Sequence, residues 1–248
     1  MPEPIWKLPR DEPRPPAVSI IIPSHRPQFL PEAIASVFAQ TCQDFQLVVN
    51  YRREWWGEKI NDVVNASRGP FVCILPDDDL LHPTYLAKAL DASRGGFDII
   101  FSDIQFFGDR TDVYRLPDFG VNAQRHACVP WMTALIRRQL WDELGGFDPD
   151  QILQDSDFYL RAALAGAEAA HIREPLVLAR QHAGNGAKLM DHSAAALKLQ
   201  AKHPQWFPSQ FIAPPAPGEP NDGSAFVAPV QMPERFRQLA KLAGVIDP

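Results

Sequence analysis

The stretch FVCILPDDDLLHPTYL, residues 71–86, carries an apolar run, FVCIL, straight into three consecutive aspartates, Asp77, Asp78 and Asp79. A short β-prone run closed by proline reads as a buried strand, and the aspartates stand where it leaves the core. Adjacent carboxylates repel one another, so gathering three in one place needs a compensating interaction. Two are open on residue chemistry alone. The side chains can form a solvated turn that caps a helix starting near Pro83, or they can face a hard divalent cation, Mn2+ or Mg2+. Such a cation takes one or two carboxylates and fills its remaining positions with water and phosphate oxygens.

Working outward, the same alternation repeats. Upstream lie VSIII (18–22), an amphipathic helix from about Pro27 to Gln40, FQLVV (45–49) and a helical stretch near Glu58 to Ser67. Short apolar β-rich runs separated by helices predict βαβ units, hence a mostly parallel central sheet with helices on its faces. Ligands of such sheets bind beyond the carboxyl ends of the strands, where PSHR (23–26), NYRR (50–53) and PDDD (76–79) all fall. Downstream, FDIIFSDIQFF (97–107) is another strand. Residues 108–128 lack a period and read as a loop or small antiparallel insertion. MTALIRRQLWDELGGFDP (132–149) is a strand entering a short helix closed by Gly145 and Gly146. QDSDFYLRAALAGA (154–167) is an amphipathic helix, PLVLARQH (175–182) a strand, and residues 191–202 a further helix.

Prolines 2, 4, 9, 13, 15 and 16 mark residues 1–16 as an extended leader, because proline is excluded from helix interiors and central strands. One domain over residues 17–202 is expected, its first half about 17–107 and its second about 108–202. Prolines return beyond His203, so residues 203–248 read as a proline-rich tail with a terminal helix near 234–243.

At 248 residues, 46% hydrophobic and 22% charged, the chain has the composition of a globular protein with a sizeable core. A formal charge of -6 offers no basic field for nucleic acid. Cys42, Cys73 and Cys128 are odd in number and far apart, which argues against a disulfide framework or a zinc cluster and fits a reducing cytoplasm. No stretch approaches the roughly 20 apolar residues of a membrane helix, which leaves peripheral membrane contact open. No GxGxxG, GxxxxGK[ST] or GxSxG is present, so dinucleotide, P-loop and serine-hydrolase readings lose support.

Three further features carry chemistry. In QDSD (154–157), Asp155 or Asp157 suits the first turn of a helix, and either could serve as a general base aimed into a cleft. His182, between a strand and a glycine-containing loop, is either a packed residue or a nitrogen ligand beside the carboxylates. Trp55 and Trp56 could cover the core or stack on a base or sugar ring.

Taken in order, VSIIIPSHRPQFLPEAIASVFAQT, FQLVV, KINDVVNASRGPFVCILPDDDLLHP, ALIRRQLWDELGGFDP and QDSDFYLRAALAG resemble the inverting GT-A glycosyltransferases of the family-2-like group, over about residues 17–186. The resemblance implies a GT-A fold and transfer of a sugar from a nucleotide-diphosphate sugar, a UDP-sugar being the expected donor, to a glycan, lipid-linked or small-molecule acceptor. It implies a divalent metal on the donor diphosphate, with Asp79 as direct ligand, Asp77 and His182 as further ligands, and Asp78 shared with the donor. It assigns Pro23, Ser24, His25 and Arg26 to the nucleotide loop and Asn50 to the base or ribose, where the family commonly has aspartate. Lys59 and Asn61 fall near the donor. Asp155 takes the position of the catalytic base, preceded by Gln154 where the family often has glutamate, with Asp157 as the rival close to substrate. A sugar nucleotidyltransferase, or a non-catalytic nucleotide-sugar-binding protein with the same fold, are the alternatives.

Overall fold

The computed structural model describes residues 5–8, 14–51, 56–124, 128–184 and 191–207. Its first half contains β1 (Ile5–Leu8), β2 (Val18–Ser24), α1 (Leu30–Phe38), β3 (Phe45–Tyr51), α2 (Trp56–Ala66), β4 (Phe71–Ile74), β5 (Leu80–Leu81), α3 (Tyr85–Ser93) and β6 (Ile99–Gly108). The second half adds β7 (Val113–Tyr114), α4 (Val121–Gln124), β8 (Leu135–Arg137), α5 (Arg138–Leu144), α6 (Gln154–Leu164), β9 (Ala169–Gln181) and α7 (His192–Lys202).

Among the described residues these strands form a single nine-stranded sheet, ordered β1-β3-β2-β4-β8-β6-β9-β5, with β7 beside β6. The ladders β3–β2, β2–β4 and β6–β9 are parallel and carry most of the paired positions. β1, β5, β7 and β8 pair antiparallel. The position of β2 between β3 and β4 explains its predominantly apolar sequence: Val18, Ile20, Ile21 and Ile22 are fully buried, as a strand covered on both faces requires. The polar stretch after β6 forms the small antiparallel β7 and the single turn of α4.

Part of the proline-rich leader belongs to the sheet. β1 adds antiparallel to the edge of β3, from Ile5 opposite Asn50 to Leu8 opposite Leu47, so the sheet takes in residues upstream of Ala17. At the other end, Trp206 and Phe207 pack with Leu199 against Leu153, Leu160 and Leu164 of the α6 region. The remainder of the tail and its expected helix lie outside the described residues.

α5 ends as its glycines anticipate, with Gly145 in the left-handed region at φ 73°. Gly146, also at positive φ, has a second constraint: a Cβ there would meet Asn61 Oδ1 at 2.4 Å. Beyond it Trp141, Phe147 and Phe158 pack as an aromatic cluster with centroids 4.8–5.7 Å apart, which seats α6 on α5.

The long β6–β9 ladder shifts register around Asp103. There the buried Asp103 carboxylate meets His171 Nε2 at 2.8 Å and accepts the Leu116 backbone N–H. No helix among the described residues is long and apolar enough to cross a membrane.

Candidate active site

The carboxyl ends of β2, β3 and β4 lie side by side, with Pro23 of β2 in register with Asn50 of β3. This brings PSHR, Asn50 and the three aspartates to one edge. Asp77, Asp78 and Asp79 are 0%, 4% and 5% exposed, so they are not a solvated turn. Nor do they cap α3, whose N-cap, Thr84, has no side-chain cap bond.

Each aspartate has a different set of partners. Asp77 Oδ2 accepts the backbone N–H groups of His25 (2.8 Å) and Arg26 (2.6 Å), and its Oδ1 accepts Arg26 Nε–H at 2.9 Å. It therefore clamps the loop after β2 onto the end of β4. Asp78 receives the other end of the same guanidinium, Nη2 at 2.9 Å on Oδ1 and Nη1 at 2.6 Å on Oδ2. His182 Nε2 lies 3.1 Å from Asp78 Oδ2. Since His182 Nδ1 accepts the Gly184 N–H, the proton sits on Nε2, which donates to Asp78. Asp79 Oδ1 accepts the Arg180 backbone N–H at 2.9 Å. Burial and the adjacent Asp78 push the Asp79 carboxyl well above the usual carboxylate range, because both disfavour its charged form.

Arg180 was not anticipated from the sequence. Its Nε–H donates to the Asp78 carbonyl at 3.0 Å, its Nη2 pairs with Glu32 of α1, and its guanidinium lies 4.7 Å and 4.4 Å from the ring centroids of Phe29 and Phe107. The signal was the spacing in ARQH: residues 180 and 182 are two apart at the end of a strand and share a face.

In the loop after β2, burial and the neighbouring Arg26 lower the His25 pKa, keeping the ring neutral at pH 7. Ser24 Oγ and Asn50 Oδ1 are buried and have no hydrogen-bond partner among the described residues, a costly condition unless a ligand or water meets them. Asn61 is placed differently from the expectation. Its Nδ2 donates to the Phe147 carbonyl at 2.7 Å and its Oδ1 accepts the Phe147 N–H at 2.9 Å, so both ends of the amide tie α2 to the loop after α5. The side chains of Lys59 and Trp56, and all of Trp55, lie outside the described residues.

α6 separates the two aspartates of QDSD. Asp155 Oδ1 accepts the Ser156 N–H at 2.8 Å. Burial raises its carboxyl pKa, against opposing hydrogen bonds from Ser156 and the Cys128 thiol. The neighbouring Gln154 is buried with Nε2 unpartnered among the described residues. Tyr159 Oη reaches the carbonyls of Trp131 and Met132. These residues precede β8, the antiparallel neighbour of β4, so this contact ties α6 to the chain entering that strand.

Asp157, fully buried, is tied into the core instead. It pairs with Arg161 Nε (2.7 Å), Lys202 Nζ (2.8 Å) and His203 Nε2 (2.9 Å), and Arg161 also donates to the carbonyls of Leu144 and Gly146. Burial raises its pKa, but Lys202, His203 and Arg161 outweigh that and hold it below the usual value. A depressed folded-state pKa contributes stability that is complete above the unfolded value of about 3.9 and lost as pH falls through the folded one. We expect the wild type to lose stability progressively below about pH 4 and Asp157→Asn to lose less over that window, as read from urea midpoints across pH. Equal acid dependence in both proteins would remove Asp157 from this role.

Metal fit turns on charge. Among the described residues no group of three or more His, Cys, Asp or Glu stands ready to hold a metal ion. Yet even with Asp79 held toward its neutral form, three carboxylates, Glu32, Asp77 and Asp78, face two guanidiniums, Arg26 and Arg180, so a diphosphate would enter an already negative site. A hard divalent cation fits that deficit, and Asp79 Oδ2 is the triad oxygen to which none of these N–H donors is directed.

No protein-family model and no curated protein matches the chain. Solved structures do. S. aureus TarS 1-349 in complex with UDP-GlcNAc aligns with a TM-score of 0.58 at 15% identity, covering 68% of this chain and 59% of that one; the chain thus spans about three-fifths of the TarS fragment's length. The mannosyltransferase PcManGT from Pyrobaculum calidifontis, in complex with GDP-Man and Mn2+, aligns with a TM-score of 0.56 at 18% identity, over 87% of this chain and 70% of that one. At such identities the likeness speaks for architecture, and with the mixed sheet and its acidic edge it leads to one conclusion: this chain has the GT-A glycosyltransferase fold.

Proposed function

We propose that the protein is an inverting glycosyltransferase that moves a sugar from a nucleotide-diphosphate sugar to an acceptor hydroxyl. The observation that carries this reading is the gathering of Arg26, Asp77 to Asp79, Arg180 and His182 at the carboxyl edge of a GT-A sheet. Solved structures of that fold hold UDP-GlcNAc or GDP-Man with Mn2+. Ser24 Oγ and Asn50 Oδ1, buried and unpartnered among the described residues, suit the hydroxyl and N–H groups of a ribose or base. A UDP-sugar is the first donor to test. Asp79 and Asp78 would hold a divalent cation, Mn2+ or Mg2+, which when bound supplies neutralisation of the charge left on the departing diphosphate. Asp77 is assigned to the loop and His182 to orienting Asp78.

Asp155 serves as general base. Its raised pKa makes it a better proton acceptor than an ordinary carboxylate. The acceptor oxygen bonds to the anomeric carbon as the carbon–oxygen bond to the diphosphate breaks on the opposite face, and the hydroxyl proton passes to Asp155. The acceptor is a glycan, a lipid-linked intermediate or a small molecule, and the free thiols Cys42, Cys73 and Cys128 suit work in the cytoplasm.

The test is thermal unfolding with UDP-GlcNAc, GDP-mannose and other nucleotide sugars, each with Mn2+, Mg2+ or EDTA. Donor at a hundred times its Kd adds about 2.7 kcal/mol of apparent stability, so a matching donor raises Tm with metal. No Tm rise for any nucleotide sugar under any of these conditions refutes the reading.

A further inference from the structure

Resting on the glycosyltransferase reading, we infer that Arg26 and a divalent cation are alternative occupants of Asp78. Entry of the cation turns the Arg26 guanidinium off this carboxylate, and the released guanidinium pairs with the donor diphosphate.

The geometry separates a fixed part of Arg26 from a movable one. The backbone N–H groups of Arg26 and His25 both bond Oδ2 of the fully buried Asp77. That backbone is anchored. Only the terminal Nη1 and Nη2 reach Asp78, and between them they cover both of its oxygens. A guanidinium and a hard cation cannot share those oxygens, since the positive charges repel and the cation needs the same lone pairs. Because the guanidinium is planar and rigid, turning Nη1 and Nη2 off Asp78 carries Nε off Asp77 Oδ1 as well, while the two backbone N–H bonds to Asp77 Oδ2 keep the loop in place.

The exchange also settles the charge of the site. With Arg26 on Asp78, the carboxylates of Glu32, Asp77 and Asp78 outnumber the guanidiniums of Arg26 and Arg180 even with Asp79 held toward its neutral form. A divalent cation offsets this excess. Arg26 then becomes surplus on the carboxylate and is available to an incoming diphosphate, which bidentate guanidinium recognition suits. Meanwhile His182 Nε2–H keeps its bond to Asp78 Oδ2, and Phe29, with its ring 4.9 Å from the imidazole, limits how far that side chain can move.

Two measurements test the exchange. In the wild type, the Arg26 Nε–H resonance is followed by NMR as Mg2+ is added without nucleotide; a shift that saturates with Mg2+ is expected, and an unmoved resonance at saturating Mg2+ overturns the inference. In Arg26→Gln, Mn2+ affinity without nucleotide, measured by electron paramagnetic resonance, should tighten by about tenfold or more as a competing charge is removed. UDP and GDP affinity at saturating Mn2+ should weaken by a similar factor. Unchanged or weaker Mn2+ binding, with nucleotide binding intact, refutes the exchange alone. Failure of UDP and GDP to bind either protein, with or without Mn2+, refutes the glycosyltransferase reading and the exchange with it.

Discussion

Asp155→Asn lowers turnover at least about a hundredfold and leaves nucleotide affinity and thermal stability close to wild type. The amide keeps the acceptor for the Ser156 N–H and loses the ability to take a proton. Because burial raises the Asp155 carboxyl, the acid limb of the wild-type pH–rate profile should lie above the ordinary carboxylate range. Turnover then rises with pH as Asp155 ionises, and the variant loses this limb. Steady-state kinetics across pH, with the donor identified by thermal shift, check both points. Full turnover in the variant would place the base elsewhere, and Asp157, held by Arg161, Lys202 and His203, is poorly placed to replace it.

Asp77→Ala is the costliest single change expected for stability, at about 3 kcal/mol or more, the scale for removing one partner of a buried ion pair. Three N–H donors lose their acceptor at once, two of them backbone groups of the loop after β2. The urea midpoint should fall, and nucleotide binding should fail even where the protein remains folded, because the loop no longer has its clamp. Asp77→Asn, which keeps one carbonyl acceptor, should retain part of the lost stability. An alanine variant as stable as wild type would mean that the loop is held by other contacts.

These two aspartates show where sequence was informative and where it was not. The FVCIL and VSIII runs identify buried parallel strands from composition and period alone, because a strand covered on both faces has no polar side to encode. Gly145 and Gly146 mark the end of α5 for an equally local reason, the positive φ that follows a helix. What Asp77, Asp78 and Asp79 each do is not local. Their donors come from the loop after β2 and the end of β9, at separations of 51 to 104 residues. The bonding of Asn61 to the Phe147 backbone, at a separation of 86, is equally invisible in the sequence around KINDVV. Arg180 could have been suspected from its alternation with His182, but its pairing with Glu32 depends on where α1 packs.

The order of elements, the carboxyl-edge position of PSHR, Asn50 and the aspartates, and the candidacy of Asp155 all follow from periodicity, spacing and side-chain chemistry within short windows. The division of labour does not. Whether a carboxylate clamps a loop, faces a guanidinium or serves as a base depends on which N–H groups and cations the packed sheet and helices bring within hydrogen-bond reach. Around Asp77 to Asp79 those partners meet only when the ends of β2, β4 and β9 converge, and a one-dimensional pattern carries no record of that distance.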